Sequence, residues 1–214
     1  MPVISIEGTS GIGKSLLAAQ LAAMLRCPVI PEGEPGVLPD WVQESIAKNI
    51  GIQQRNEWFV ERCMRAGDQA HQCSDTSTFF FIDSGPLTHE AYLRYDFKTD
   101  EPMHVDTWAS QLHSLQLDLL VVLADDEASL RKRISQRART FEKSDHVVER
   151  AMAVQDIIYS LPEYSPQLVI NRSQLDFTSY VDLEKIWNEI RAALSAVEYN
   201  NIQRFFLNQN PIPS

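Results

Sequence analysis

Short runs in which nearly every residue is apolar alternate along the chain with longer stretches whose apolar positions recur at helical spacing. Residues 3–6, 28–30, 79–82, 119–123 and 167–170 form the short runs, which read as buried strands. The longer stretches, 16–25, 41–47, 56–72, 88–95, 105–115, 126–139, 149–160 and 181–196, read as helices. Strands that are apolar throughout, each separated from the next by a helix, belong in a parallel sheet covered on both faces. Residues 31–39 hold three prolines and two glycines and read as a loop. The expectation is one α/β domain over residues 1–207, a five-stranded parallel sheet with helices on both faces, and a frayed tail over 208–214.

The first strand runs directly into Gly8-Thr9-Ser10-Gly11-Ile12-Gly13-Lys14-Ser15, which fits G-x-x-x-x-G-K-[ST] at every fixed position. Glycines let backbone N–H groups turn toward a phosphate with no Cβ in the way, and a helix that begins near Lys14 directs its unpaired donors and dipole at the anion. The pattern therefore predicts a P-loop NTPase fold that binds ATP. Gly8, Ser10, Gly11, Ile12, Gly13, Lys14, Ser15 and Leu16 are the expected contacts. The Lys14 ammonium would reach the β- and γ-phosphates, and the Ser15 hydroxyl would hold Mg²⁺.

Further motifs narrow the class. Ile4-Ser5-Ile6-Glu7-Gly8 leading into the glycine loop resembles the opening of the deoxynucleoside kinase and thymidylate kinase superfamily. Its deoxynucleoside kinases carry a Glu-Pro pair after the second strand, whose glutamate is a general base. The matching stretch here is Pro31-Glu32-Gly33-Glu34-Pro35, which leaves the base role open between Glu32 and Glu34. At the end of the third strand, Asp83-Ser84-Gly85-Pro86-Leu87-Thr88-His89-Glu90-Ala91-Tyr92 is similar to the Asp-Arg and Ala-Tyr pattern of thymidylate kinases, with Ser84 where the family has arginine. Arg133-Ile134-Ser135-Gln136-Arg137-Ala138-Arg139-Thr140-Phe141-Glu142 resembles the deoxynucleoside kinase lid. The resemblance implies transfer of the ATP γ-phosphate to a hydroxyl of a nucleoside-like acceptor, and makes a homodimer an expectation.

In that reading Lys14, Glu32 or Glu34, Asp83, Arg137 and Arg139 are the catalytic candidates. Arg133 and Arg137 share a helix face and would meet the nucleotide, because planar guanidinium groups pair two phosphate oxygens at once. Asp83, a carboxylate at a strand end, would hold Mg²⁺ together with Ser15 or accept a proton. Glu61, Arg62 and Arg65 read as an exposed helix face, Trp41, Trp58 and Phe59 as core, and the five scattered histidines receive no role. The alternatives are a nucleoside monophosphate kinase like thymidylate kinase, a kinase of an unrelated small alcohol, and a non-catalytic ATP-binding protein.

Composition changes the picture only at the partner. A net charge of −10 repels a phosphate polymer, so a small nucleoside or nucleotide is expected and a nucleic acid is not. No stretch has the roughly 20 apolar residues that span a bilayer, no signal peptide precedes the first strand, and three cysteines without ligand spacing read as reduced thiols. These features predict a cytoplasmic protein with no membrane partner.

Overall fold

The computed structural model of the chain describes residues 2–32, 38–72, 79–97, 102–136, 145–161, 164 and 167–209. Strand β1 (Val3–Glu7) enters the glycine loop and then helix α1 (Lys14–Leu25). Strand β2 (Val29–Ile30), helices α2 (Asp40–Lys48) and α3 (Ile52–Gln72), and strand β3 (Phe80–Asp83) follow. Helices α4 (Pro86–Phe97) and α5 (Pro102–His113) lead to strand β4 (Leu119–Ala124). Helices α6 (Glu127–Gln136) and α7 (Asp145–Ser160), strand β5 (Gln167–Asn171) and helix α8 (Tyr180–Gln209) complete the order.

The five strands are all parallel and lie in the order β2-β3-β1-β4-β5. The alternation of β4 explains why its sequence is apolar without interruption. Leu119, Val121 and Leu123 pack on one face with α1 residues Leu17, Ala18 and Leu21 and α8 residues Ile186 and Ile190. Leu120 and Val122 pack on the other with Leu87 and Ala91 of α4 and Val154 and Ile158 of α7. Both faces of β4 are thus dry, as a central parallel strand between helical layers requires. The chain crosses from one side of β1 to the other between β3 and β4. Such a switch point opens a crevice at the C-terminal strand ends, the usual ligand site of an open α/β sheet.

The structure corrects the expected end of the last helix and the placement of Trp41. Helix α8 does not stop at 196 but continues through Gln209. Between Tyr180 and Gln209 there is neither Gly nor Pro, so the polar residues near Asn200 end an apolar stripe without ending the helix. Trp41 is 37% exposed and sets its ring edge against Trp58, so it is not a core residue.

The C-terminal ends of β1 and β3 are tied together by a buried carboxylate. Glu7 is fully buried and accepts hydrogen bonds from Ser5 Oγ (2.6 Å), Gly85 N (3.2 Å), Thr88 N (2.9 Å) and Thr88 Oγ1 (2.6 Å). Gly85 is required by this closeness, since a Cβ there would overlap Ser5 Oγ and the Glu7 carboxylate. Gly85→Ala is expected to destabilise the protein by about 1–3 kcal/mol, the usual cost of overpacking. Urea unfolding checks this, and an unchanged midpoint would contradict the packing described.

Candidate active site

The glycine loop closes the end of β1. Gly8, Gly11 and Gly13 have φ of 138°, 83° and 108°, values that L side chains rarely adopt. At Gly13 the restriction is double, because a Cβ would also press on Phe177. Gly13 is the N-cap of α1, no side chain caps the helix, and its first turn carries no acid. The unpaired N–H groups and the positive end of the dipole are therefore available to an anion. Ile12 anchors the loop in the core, fully buried. Ser15 and Leu16 sit exposed in the first turn. Lys14 is 8% exposed and its Nζ donates to Thr9 O at 3.1 Å, which folds the ammonium back over the loop.

The rear of the loop is bonded to α4 and α7. Thr88 Oγ1 accepts from Gly8 N (3.0 Å), Tyr92 Oη accepts from Ser10 N (2.9 Å), and Thr9 Oγ1 donates to Ala151 O (2.7 Å). Thr88 in turn is held by Glu7. Burial raises the Glu7 carboxyl above its ordinary value, and bonds from Ser5 and Thr88 and the charge of Lys14 act against it.

A cleft of about 700 Å³, including its open mouth, begins at the loop. Ser10 and Lys14 form one end. Glu32, Leu38, Ile46, Asn56, Phe59, His89, Tyr92, Val147 and Arg150 line the remainder. Phe59 stacks on His89, with ring centroids 5.5 Å apart and planes 25° from parallel. His89 is buried, and burial followed by the charge of Lys14 lowers its pKa to about 4, so the ring is neutral near pH 7. Arg62 donates to the Glu32 carbonyl and lies over the Trp58 ring, 5.2 Å from its centroid.

Arg150 is fixed by a buried ion cluster under the cleft. Its Nε and Nη2 bond Asp96 Oδ1 (3.0 Å) and Oδ2 (2.6 Å), and Arg55 bonds the same carboxylate at 2.7 Å. Asn56 Nδ2 adds a bond to Asp96 Oδ2 at 2.9 Å. The Arg150 guanidinium also covers the ring of Tyr92, 4.3 Å from the centroid. The Asp96 carboxyl lies below its ordinary value although burial opposes this, because Arg150 and Arg55 are so close.

Of the residues singled out in the sequence, the cleft brings together Ser10, Lys14 and Glu32. Asp83 ends β3 opposite Ile6, 5% exposed and close enough to His89 to affect its proton, but outside the cleft lining. Arg133, on α6, is paired with Asp125 just beyond β4. Glu34, Arg137 and Arg139 lie outside the described residues. Glu61 and Arg65 are exposed, as expected, whereas Phe59 faces the cleft rather than the core.

Sequence reasoning missed His89, Asn56 and Arg150, and met Tyr92 only as part of the Ala-Tyr pattern without giving it a role. It also missed Arg172, whose guanidinium lies 3.8 Å from the centroid of Phe177 and beside Gly13. The usable signal for Arg172 was its place directly after the last strand. Among the described residues no group of three or more His, Cys, Asp or Glu could hold a metal ion, and no helix is long and apolar enough to cross a membrane.

A parallel sheet with a glycine-rich loop between β1 and α1 defines a P-loop nucleotide-binding fold. A family model described as an AAA domain matches residues 3–161, and the chain belongs to that family. Among solved structures it is similar to a deoxyadenosine kinase from M. mycoides with products dCMP and a flexible dCDP bound. The TM-score is 0.71 at 20% identity, covering 89% of this chain and 99% of that one. It is also similar to a thymidylate kinase from Candida albicans, with TM-score 0.65 at 16% identity over 89% of this chain and 91% of that one. No curated protein matches the sequence.

The neutral His89 has a consequence for stability. Its folded pKa of about 4 lies below the ordinary 6.5, so the unfolded chain binds the proton more readily. The His89 contribution is complete above pH 6.5 and is lost as pH falls toward 4. His89→Gln should flatten the stability profile in that window by about 3 kcal/mol. Urea midpoints at several pH values would show it, and parallel profiles for both proteins would contradict it.

Proposed function

We propose that the protein transfers the γ-phosphate of ATP to a hydroxyl of a (deoxy)nucleoside-like small molecule. One observation carries this reading: a single cleft has the phosphate loop at one end and a carboxylate, an aromatic ring and a neutral histidine along its walls. A donor triphosphate on the loop would point its terminal phosphate into that cleft. The likeness to deoxyadenosine kinase and thymidylate kinase folds supports the substrate class, as do the lid-like arginines.

The N–H groups of residues 11–16 bind the phosphates, those of Gly8 and Ser10 being bonded to Thr88 and Tyr92 behind the loop, and Lys14 neutralises charge on the terminal phosphates. Ser15 and Asp83 are the groups that would hold Mg²⁺, which supplies charge neutralisation on the phosphates when bound. The glycine cradle and the exposed Ser15 hydroxyl at the start of α1 fit such a complex. Glu32 or Glu34 accepts the proton of the attacking hydroxyl; the place of Glu32 in the cleft favours it. Phe59 and His89 offer a stacking face and a neutral hydrogen-bonding edge to a base. Arg137 and Arg139 would close over the phosphates and exclude water. The partner in this reading is a small nucleoside or nucleotide, and the compartment we propose is the cytoplasm.

ADP release with ATP·Mg²⁺ across a panel of nucleosides and their monophosphates tests the reading. A nucleoside should stimulate release. Lys14→Ala should lower kcat/KM by about 10²–10³-fold, and Glu32→Gln by about 10²-fold or more if it is the base. Stimulation by monophosphates alone would move the acceptor to a nucleotide. No stimulation, with ATP bound, would contradict the proposal.

A further inference from the structure

We infer that Arg150 is a catalytic residue that meets the transferring phosphoryl group from the wall of the cleft that Lys14 also lines. This rests on the reaction proposed above. Among the described residues the cleft lining contains two cationic side chains, Lys14 and Arg150. The first belongs to the phosphate loop. The second comes from α7, far away in sequence, and nothing in the recognised motifs points to it. Where related kinases carry an arginine at the end of the third strand this chain has Ser84, which is buried, uncharged and held at a φ of 64°. Position 84 therefore brings no charge to the cleft.

Three features fit Arg150 for contact with an anion. Its side chain retains 13% exposure beside an Asp96 that has 2%, so the guanidinium reaches the cleft surface while its carboxylate partner lies beneath. Asp96 is shared with Arg55, which is 1% exposed, so among the described residues this cluster holds two guanidiniums and one carboxylate, an excess of positive charge. The bidentate bond to Asp96 and the Tyr92 ring fix the plane of the guanidinium. Tyr92 also accepts the Ser10 N–H of the phosphate loop, so Arg150 is registered against the donor site through one intervening ring. A pre-positioned cation in a partly dry site is the arrangement that stabilises a spreading phosphoryl charge.

In the step itself the acceptor hydroxyl oxygen attacks the γ-phosphorus. An oxygen–phosphorus bond forms, and the bond from that phosphorus to the bridging oxygen of ADP breaks. The bridging oxygen leaves with the electron pair, and the hydroxyl proton passes to Glu32 or Glu34. Arg150 forms no bond; it pairs the equatorial oxygens while the charge spreads.

The test uses the full-length protein with two kinds of readout. In steady-state assays Arg150→Ala should lower kcat by about 10²–10³-fold while the KM for ATP changes less than about threefold. Arg150→Lys should recover only part, and added guanidinium ion should restore Arg150→Ala in proportion to its concentration. Arg131→Ala, on the exposed side of α6, should leave turnover unchanged. Independently of any acceptor, the protein should bind ADP with aluminium fluoride more tightly than ADP alone, and Arg150→Ala should remove that difference without altering ADP affinity.

A variant with near-normal kcat overturns the inference, as does a raised KM for a monophosphate acceptor alone. Loss of melting temperature and of both affinities together, with no guanidinium rescue, would make Arg150 a structural residue and also overturns it. If no acceptor is phosphorylated yet the fluoride complex depends on Arg150, the acceptor assignment fails and the role of Arg150 stands.

Discussion

A loop that binds phosphate with its own backbone must keep those N–H groups pointed outward, so it has to be held from behind. The Glu7 carboxylate is the centre of that support. Wholly buried, it takes four hydrogen bonds from Ser5, Gly85 and Thr88, and through Thr88 it fixes the amide of Gly8. Leaving a buried carboxylate short of partners is costly, so the network favours one arrangement of β1, the loop and the start of α4. Tyr92 and the Thr9–Ala151 bond extend the same support to Ser10 and Thr9. The loop geometry thus follows from packing at the switch point of the sheet as much as from its glycines.

The walls of the cleft depend on a second buried centre. Asp96 of α4 receives Arg55 and Asn56 of α3 and Arg150 of α7, joining three helices under the cleft floor. Arg55 is further tied to the Ser45 carbonyl at 3.1 Å, which brings in α2. The two centres lie on one helix, α4, through Thr88 and Asp96. A change in that helix would therefore move the phosphate loop and the acceptor wall together.

The sheet was legible in the sequence because β1, β3 and β4 are buried on both faces and so read as unbroken apolar runs. The phosphate loop was legible because its function dictates residue types at adjacent positions. What stayed hidden depends on distance along the chain. Arg150 looks like any charged helical residue until Asp96, 54 positions earlier, is placed beside it. His89 is a lone histidine in sequence and acquires meaning only from Phe59 and Lys14 in space. Helix starts shifted for local reasons, as at α4, where Pro86 suits the first helical position. Ser84 was visible as a departure from the kinase pattern, but the charge it fails to supply is found only in the folded cleft.

In the proposed reaction the donor and acceptor sites abut in one cleft. Calorimetric titration with a bisubstrate compound, adenosine joined to a nucleoside through a polyphosphate bridge, tests it without requiring turnover. Abutting sites predict binding at least about 100-fold tighter than ATP, because the second moiety binds at high effective concentration. Affinity no better than that of ATP, across compounds with different acceptor nucleosides, would contradict the account.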